Sequence, residues 1–283
     1  MSTPDRGLAG EEVDGDRPVG VTVAHVRADN PGPLTLTGTN SYVLRAGEAA
    51  WAVDPGPDDP AHLDALVAAL DGAREVSILL THRHADHTAG APALHERLKR
   101  LLGLAVPVLA VDTSVVRGSV PPPSVLCTGG GTGVLAEVIA VPGHTTDSIA
   151  LLLADGSLLT GDTVLGGSPG IVSPPDGSLT DLLASLRRLH GLCASGRARR
   201  ILPGHGEPVE GADAAAAWIE HLIAHREGRI AQVRAARETG AAGVDEFVRA
   251  IYGDGLDATL RRGAEGNVRA ALDHLDRIDR LDT

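Results

Sequence analysis

Apolar positions along the chain recur with two periods, and the switching between them marks out its elements. Short alternating or β-branched runs predict strands at Val21–Ala28, Ser41–Arg45, Ala49–Val53, Val76–Leu80, Val106–Val111, Val134–Val141, Ile149–Leu153 and Ser157–Thr160. Stripes at helical spacing follow Pro60 (His62, Leu63, Leu66, Val67, Leu70), recur at Leu94, Leu98, Leu101 and Leu102, and fill Leu179–Leu192 behind Asp176-Gly177-Ser178. A further strand is expected at Arg200–Leu202. Many early strands with few helices between them fit a layered α/β sandwich better than a doubly wound parallel sheet. Beyond Gly211 no strand pattern appears: Ala214–Arg237, Val244–Ile251 and Leu256–Leu275 read as helices with Gly-containing breaks at 240–243 and 253–255. The expected division is a disordered tail over 1–18, an α/β domain over 19–211 and a small helical C-terminal module over 212–283.

Composition narrows the class. With 283 residues, 43% hydrophobic and 22% charged, the chain has the balance of a globular protein and excludes collagen-like and disulfide-scaffold classes. The formal charge of −12 opposes purely electrostatic attachment to nucleic acid or anionic lipid. Cys127 and Cys193 form no Cys-x-x-Cys pair and read as small buried hydrophobes in a reducing compartment. The start carries no apolar signal region, and no apolar run reaches the ~18 residues that span a bilayer. The expectation is a cytoplasmic protein, monomer or homodimer, without a membrane partner.

The chemistry is concentrated in four loops. Directly after Ser77-Ile78-Leu79-Leu80 comes Thr81-His82-Arg83-His84-Ala85-Asp86-His87, three imidazoles and a carboxylate at a strand end. Three later strands end in a Gly-flanked ligand type: Pro142-Gly143-His144-Thr145, Thr160-Gly161-Asp162-Thr163 and Pro203-Gly204-His205-Gly206. Each of these alone reads as an ordinary turn, but in order behind a four-ligand motif they point to metal binding. Imidazole and carboxylate donors suit Zn²⁺ and tolerate iron or manganese. No G-x-S-x-G elbow supplies a side-chain nucleophile. Gly129-Gly130-Gly131-Thr132-Gly133 lacks the Lys-Ser/Thr pair of a phosphate loop and reads as a hairpin turn. His25, His62, His95, His190 and His274 read as surface or satisfied core residues.

The order of these motifs resembles the metallo-β-lactamase-fold hydrolases over about residues 20–210. The resemblance implies an αββα sandwich whose loops gather at one sheet edge. It implies two Zn²⁺ per chain, one held by His82, His84 and His144, the other by Asp86, His87 and His205, with Asp162 bridging them. Two such ions lower the pKa of a shared water, so that hydroxide is available near neutral pH, and Asp86 could orient it. Asp86 and Asp162 are thus the expected catalytic carboxylates. True β-lactamases of the fold generally lack the bridging aspartate, so Asp162 argues against antibiotic hydrolysis. Gly38-Thr39-Asn40-Ser41-Tyr42, Asp54-Pro55-Gly56 and His221 to Ile230 resemble the LACTB2-like branch, with its winged-helix-type C-terminal module, although no wing strands are visible.

That branch includes thioesterases acting on carrier-bound acyl groups and single-strand endoribonucleases. Hydrolysis of an ester or thioester of a small or carrier-bound acyl group is the first reading; RNA cleavage is the second and a non-catalytic metal-binding interaction protein the third. From Ile219 onward ten basic residues face twelve acidic ones, with Phe247 and Tyr252 the only aromatics, a poor platform for RNA. Arg226, Arg229, Arg234 and Arg237 share one helix and could form a cationic strip, though a solvated face interleaved with Glu227 and Glu238 is preferred. The Val164–Gly177 stretch is long enough to wall a pocket, lined by Leu165, Ile171 and Val172 and completed by His225 and Arg226.

Overall fold

The computed structural model describes residues 20–127 and 133–281. The expected tail over 1–18 and the body of the Gly-rich turn, 129–132, lie outside them. A first sheet has the order β1 (Thr22–Arg27), β2 (Asn40–Ala46), β3 (Ala49–Val53), β4 (Glu75–Leu79), β5 (Val108–Leu109), and is accompanied by helices α1 (Pro60–Ala69), α2 (Ala85–Thr88) and α3 (Ala91–Leu102). The second sheet comprises β6 (Val125–Cys127), β7 (Val134–Ala140), β8 (Ile149–Leu153), β9 (Ser157–Gly161), β10 (Arg200–Pro203) and β11 (Val209–Glu210), in the reverse order, with α4 (Leu179–Ala194) following β9. Then come α5 (Ala212–Glu238), α6 (Val244–Tyr252) and α7 (Ala258–Leu281).

The alternation along the strands decides the layering. In β2, Tyr42 and Leu44 enter the core between the sheets while Val43 packs against α1 and α3 on the other face. In β8, Ile149, Leu151 and Leu153 point between the sheets, and Ala150 and Leu152 point at α4. Strands buried on both faces read as continuous apolar runs, and the result is the expected αββα sandwich.

The C-terminal helices share the outer core of the second sheet. Ile219, Leu222, Phe247, Val268 and Leu275 belong to one buried cluster with Ile139, Leu158, Leu186 and Ile201. The junction near 211 is therefore a change of secondary structure within a continuous core. The described residues after β11 contain helix and no strand.

Several details differ from the sequence reading. The strand expected at Val106–Val111 is observed over Val108–Leu109: it begins after Pro107, which offers no backbone N–H, and beyond Leu109 the N–H of Ala110 turns to the Val120 carbonyl. β6 and β11 are too short for a period to register, as is α2, whose four residues include the ligand types Asp86 and His87. Leu101, in the last turn of α3, is 66% exposed while Leu94 and Leu98 are buried, so the helix outruns the surface it covers. Cys127 is exposed: on the edge strand β6, Leu126 turns inward and Cys127 outward, whereas Cys193 is buried as expected.

Candidate metal centre

Four strands release their chains at one end of the sandwich. β4 leads into Thr81 and His82, and α2, N-capped by His84, presents Asp86 and His87. The β7–β8 connection brings His144, and the parallel neighbours β9 and β10 deliver Asp162 and His205 side by side. Two glycines make this convergence sterically possible. A Cβ at Gly143 would lie 2.3 Å from the backbone of Leu182, at a φ of +140° that disfavours other residues. A Cβ at Gly204 would lie 2.4 Å from Asp162 Oδ1 and 2.8 Å from His87 Cε1.

All seven residues singled out in the sequence meet here. His84 Nδ1 is 3.1 Å from His82 Nε2 and 2.9 Å from His144 Nε2, and Asp162 Oδ2 lies 3.9 Å and 3.7 Å from those two Nε2 atoms. On the other side, His205 Nε2 is 3.1 Å from both His87 Nε2 and Asp86 Oδ2. Asp162 stands between the groups, with Oδ1 3.3 Å from His87 Nε2 and Oδ2 3.4 Å from His205 Nε2. The donor atoms of His82, His84, His144 and Asp162 lie within 4.8 Å of one another, as do those of Asp86, His87 and His205. Asp162 Oδ1 is buried without a hydrogen-bond partner. Facing imidazole nitrogens around an orphaned carboxylate oxygen are costly unless a cation completes them, and the donor set suits a divalent metal.

Hydrogen bonds behind the rings aim them. His82 donates from Nδ1 to Thr81 Oγ1 at 3.0 Å, His87 to Asp54 Oδ2 at 2.9 Å, His144 to the Ile171 carbonyl at 3.0 Å and His205 to the Gly38 carbonyl at 3.1 Å. Each leaves Nε2 free to face the centre. Asp54, His82 and His87 also converge within 4.8 Å, but the oxygens of Asp54 are committed to Thr81 N at 2.7 Å, Thr81 Oγ1 at 2.6 Å and His87, which makes it a support.

Burial, then the neighbouring imidazoles, holds His82 well below the ordinary histidine value; burial followed by His144 lowers His84. His87 and His205 go the other way. Burial opposes their charge, but Asp162 together with Asp54 raises His87 well above its usual value, and Asp162 with Asp86 lifts His205 to about 9. Against its own burial, Asp162 is kept well below the carboxylate range by His87 and His205, and Asp86 is lowered by His205 and His87. Protons thus occupy the places where a dication would balance the same carboxylates.

The pocket residues expected from the sequence separate. A cavity of about 600 Å³ opens from His84, Asp86, His144 and Asp162, and Leu165 and Ile171 line it. Val172 does not line it; its side chain is buried in the core with Leu179 and Leu182. His225 and Arg226 do not line it either: Arg226 is buried behind the loop, donating to the carbonyls of Pro169 and Gly170. The far wall comes from α6–α7 instead, through Tyr252, Leu256, Leu260, Ala264 and Asn267. Nor do the arginines of α5 form a strip, since Arg229 stacks on Tyr252 at 4.4 Å and Arg237 pairs with Asp276 at 2.8 Å.

Sequence reasoning assigned no role to Asp54, Thr81 or Arg83. Asp54 follows β3 with a φ of +50°, unusual for a non-glycine residue; the Asp-Pro-Gly after a buried strand was its only local signal. Arg83 joins the first motif to the His144 loop through Asp147 at 3.1 Å and Thr146 at 2.9 Å.

Residues 34–205 match the family described as Metallo-beta-lactamase superfamily. The chain is 30% identical over 249 residues to an atrochrysone carboxyl ACP thioesterase of Aspergillus fumigatus, covering 82% of this chain and 73% of that one. It is 30% identical over 228 residues to the Beta-lactamase-like protein 2 homolog of Drosophila melanogaster, covering 75% and 72%. Among solved structures, a metallo-beta-lactamase family protein from Thermus thermophilus superposes with a TM-score of 0.70 at 22% identity, covering 91% of this chain and 94% of that one, a likeness of fold. Architecture, converging histidines and sequence similarity agree that this chain belongs to the metallo-β-lactamase superfamily and is one of its hydrolases.

Proposed function

We propose that the protein is a binuclear zinc hydrolase that cleaves an ester or thioester of a small or carrier-bound acyl group. His82, His84 and His144 would hold one ion and Asp86, His87 and His205 the other, with Asp162 between them. The observation that carries the acyl reading is the cavity. It runs from Asp86 and Asp162 to an apolar wall of Leu165, Ile171, Leu256 and Leu260, and among the described residues no lysine or arginine lines it. An acyl chain loses apolar surface to water there, whereas a nucleic-acid backbone running away from the metal centre would meet no cationic side chain along that wall. Leu34 and Leu260, 51% and 43% exposed, line it too, so the cavity is in reach of solvent, which suits a substrate tethered to something larger.

When bound, zinc supplies a low-pKa water and a Lewis acid for the scissile carbonyl. The protein's own groups orient the reaction. Asp86 is ionised, faces the cavity and accepts a hydrogen bond from the attacking water, directing its lone pair at the carbonyl carbon. Asp162 balances charge between the two halves of the centre. Leu165 and Ile171 exclude bulk water beside the acyl group. The similarity to an ACP thioesterase supports this substrate class, and the presence of Asp162, which true β-lactamases of the fold generally lack, speaks against a β-lactam.

The test is hydrolysis by the zinc-loaded protein of acyl thioesters and of labelled single-stranded RNA, each repeated with Asp162→Ala and after chelation. Thioester turnover lost in both controls, with RNA left intact, is the expected result. RNA cleavage lost in both controls without acyl turnover would overturn it, as would no turnover on either substrate.

A further inference from the structure

Of the four rings anchored through Nδ1, three rest on residues at or beside strands of the first sheet: Thr81, Asp54 and Gly38. His144 differs. Its anchor is the carbonyl of Ile171, within the irregular segment between β9 and α4. A carbonyl on such a segment fixes a ring only if the segment is itself held.

The hold comes from the C-terminal helices, on both sides of Ile171. Arg226 of α5 donates to the carbonyls of Pro169 and Gly170, the latter at 3.1 Å, and to Asn267 Oδ1 at 3.2 Å. Asn267 of α7 uses the same oxygen to accept the N–H of Val172 at 3.0 Å. Trp218 ties the beginning of the segment through the Leu165 carbonyl at 2.8 Å. Helix α7 can come this close because it presents glycines: a Cβ at Gly263 would lie 2.5 Å from Ile171 Cδ1, and one at Gly266 2.8 Å from Ser173 Oγ.

Arg226 is only 4% exposed, and among the described residues no carboxylate pairs with it. A buried cation satisfied by carbonyl and amide oxygens is an expensive way to fill space, and an apolar residue of similar volume would cost less. What the guanidinium supplies is geometry, a planar fork fixing three oxygens from two chain segments at once.

The geometry points to Arg226 and Asn267 as positioning residues for the metal centre: they clamp residues 169–172 so that the Ile171 carbonyl holds His144 with Nε2 facing His82 and His84. The C-terminal helices thereby wall the cavity and also set one face of the metal site. This inference rests on the metal reading above.

The full-length protein tests it by zinc titration against a chromophoric chelator. Wild type should take up two equivalents, and His144→Ala should weaken one of them. Arg226→Met and Asn267→Leu should weaken that same equivalent by about 10- to 100-fold, leave the other unchanged, and add nothing in the His144→Ala background. Asn267→Asp, which keeps the acceptor oxygen, should stay near wild type. In metal-free wild type, nitrogen NMR of the His144 ring should show the Nδ1–H tautomer, a readout that needs no variant to fold. Unchanged titration in Arg226→Met, equal weakening of both equivalents, or an Nε2–H tautomer would overturn the clamp. A wild type without zinc uptake, or a His144→Ala variant that titrates like wild type, would sink the metal reading and the clamp with it.

Discussion

Asp54 Oδ2 lies 2.9 Å from Nδ1 of His87, and both side chains are buried. The same carboxylate accepts the backbone N–H and the hydroxyl of Thr81, whose Oγ1 in turn accepts from His82. One acidic residue therefore orients a ring in each half of the centre, from a left-handed backbone position that asparagine tolerates better than alanine. Asp54→Asn keeps the shape and removes the charge. It should lower zinc affinity by about 10- to 100-fold and stability by about 1–3 kcal/mol, read by chelator competition and by denaturant unfolding.

Proton and metal compete for the same imidazoles. In the metal-free protein His205 keeps its proton up to about pH 9, because Asp162 and Asp86 outweigh the opposing effect of burial, and His87 is raised as well. Metal ligation needs the neutral ring. Zinc uptake at neutral pH should therefore release protons, and the apparent affinity should rise with pH through about 9, where His205 loses its proton. Calorimetric titration in buffers of different ionisation enthalpy measures the proton count directly; uptake without release would contradict the charge assignment.

Gly204 offers a purely steric test. A methyl group there would press on Asp162 Oδ1 and His87 Cε1, and this glycine has no positive φ to complicate the result. Gly204→Ala should fold normally and lose about 100-fold in kcat, the scale expected when reacting groups are displaced by about 1 Å. Circular dichroism, zinc stoichiometry and turnover on one acyl thioester check it together.

Leu260 separates substrate binding from chemistry. It lines the cavity on α7, remote in sequence from every ligand, and is partly exposed, so a charge there is tolerated by the fold. Leu260→Glu should raise KM for a long acyl thioester by about tenfold, because the acyl chain would no longer be shielded from water at that wall, with kcat nearly unchanged. The effect should shrink as the acyl chain is shortened; a fall in kcat at constant KM would place Leu260 elsewhere in the mechanism.

The sequence by itself determined the chemistry and the layering. His82, His84, Asp86 and His87 follow a strand within a few residues, and His144, Asp162 and His205 each stand beside a glycine at a strand end, so their types and order are local facts that a linear reading captures. The short apolar runs Tyr42–Leu44 in β2 and Ile149–Leu153 in β8, which mark strands buried on both faces, are local in the same way. Only the tertiary structure decided which distant groups hold these ligands: Asp54 behind His87, Gly38 behind His205, Ile171 behind His144. It also decided that Arg226 would be buried as a clamp, when its helical spacing favoured a solvated face, and that α7 would complete the cavity. A hydrogen bond to a carbonyl far along the chain depends on where the backbone passes, and backbone carbonyls carry no residue type to mark them. Side-chain identity announces what a site can bind, while its aim is set by packing.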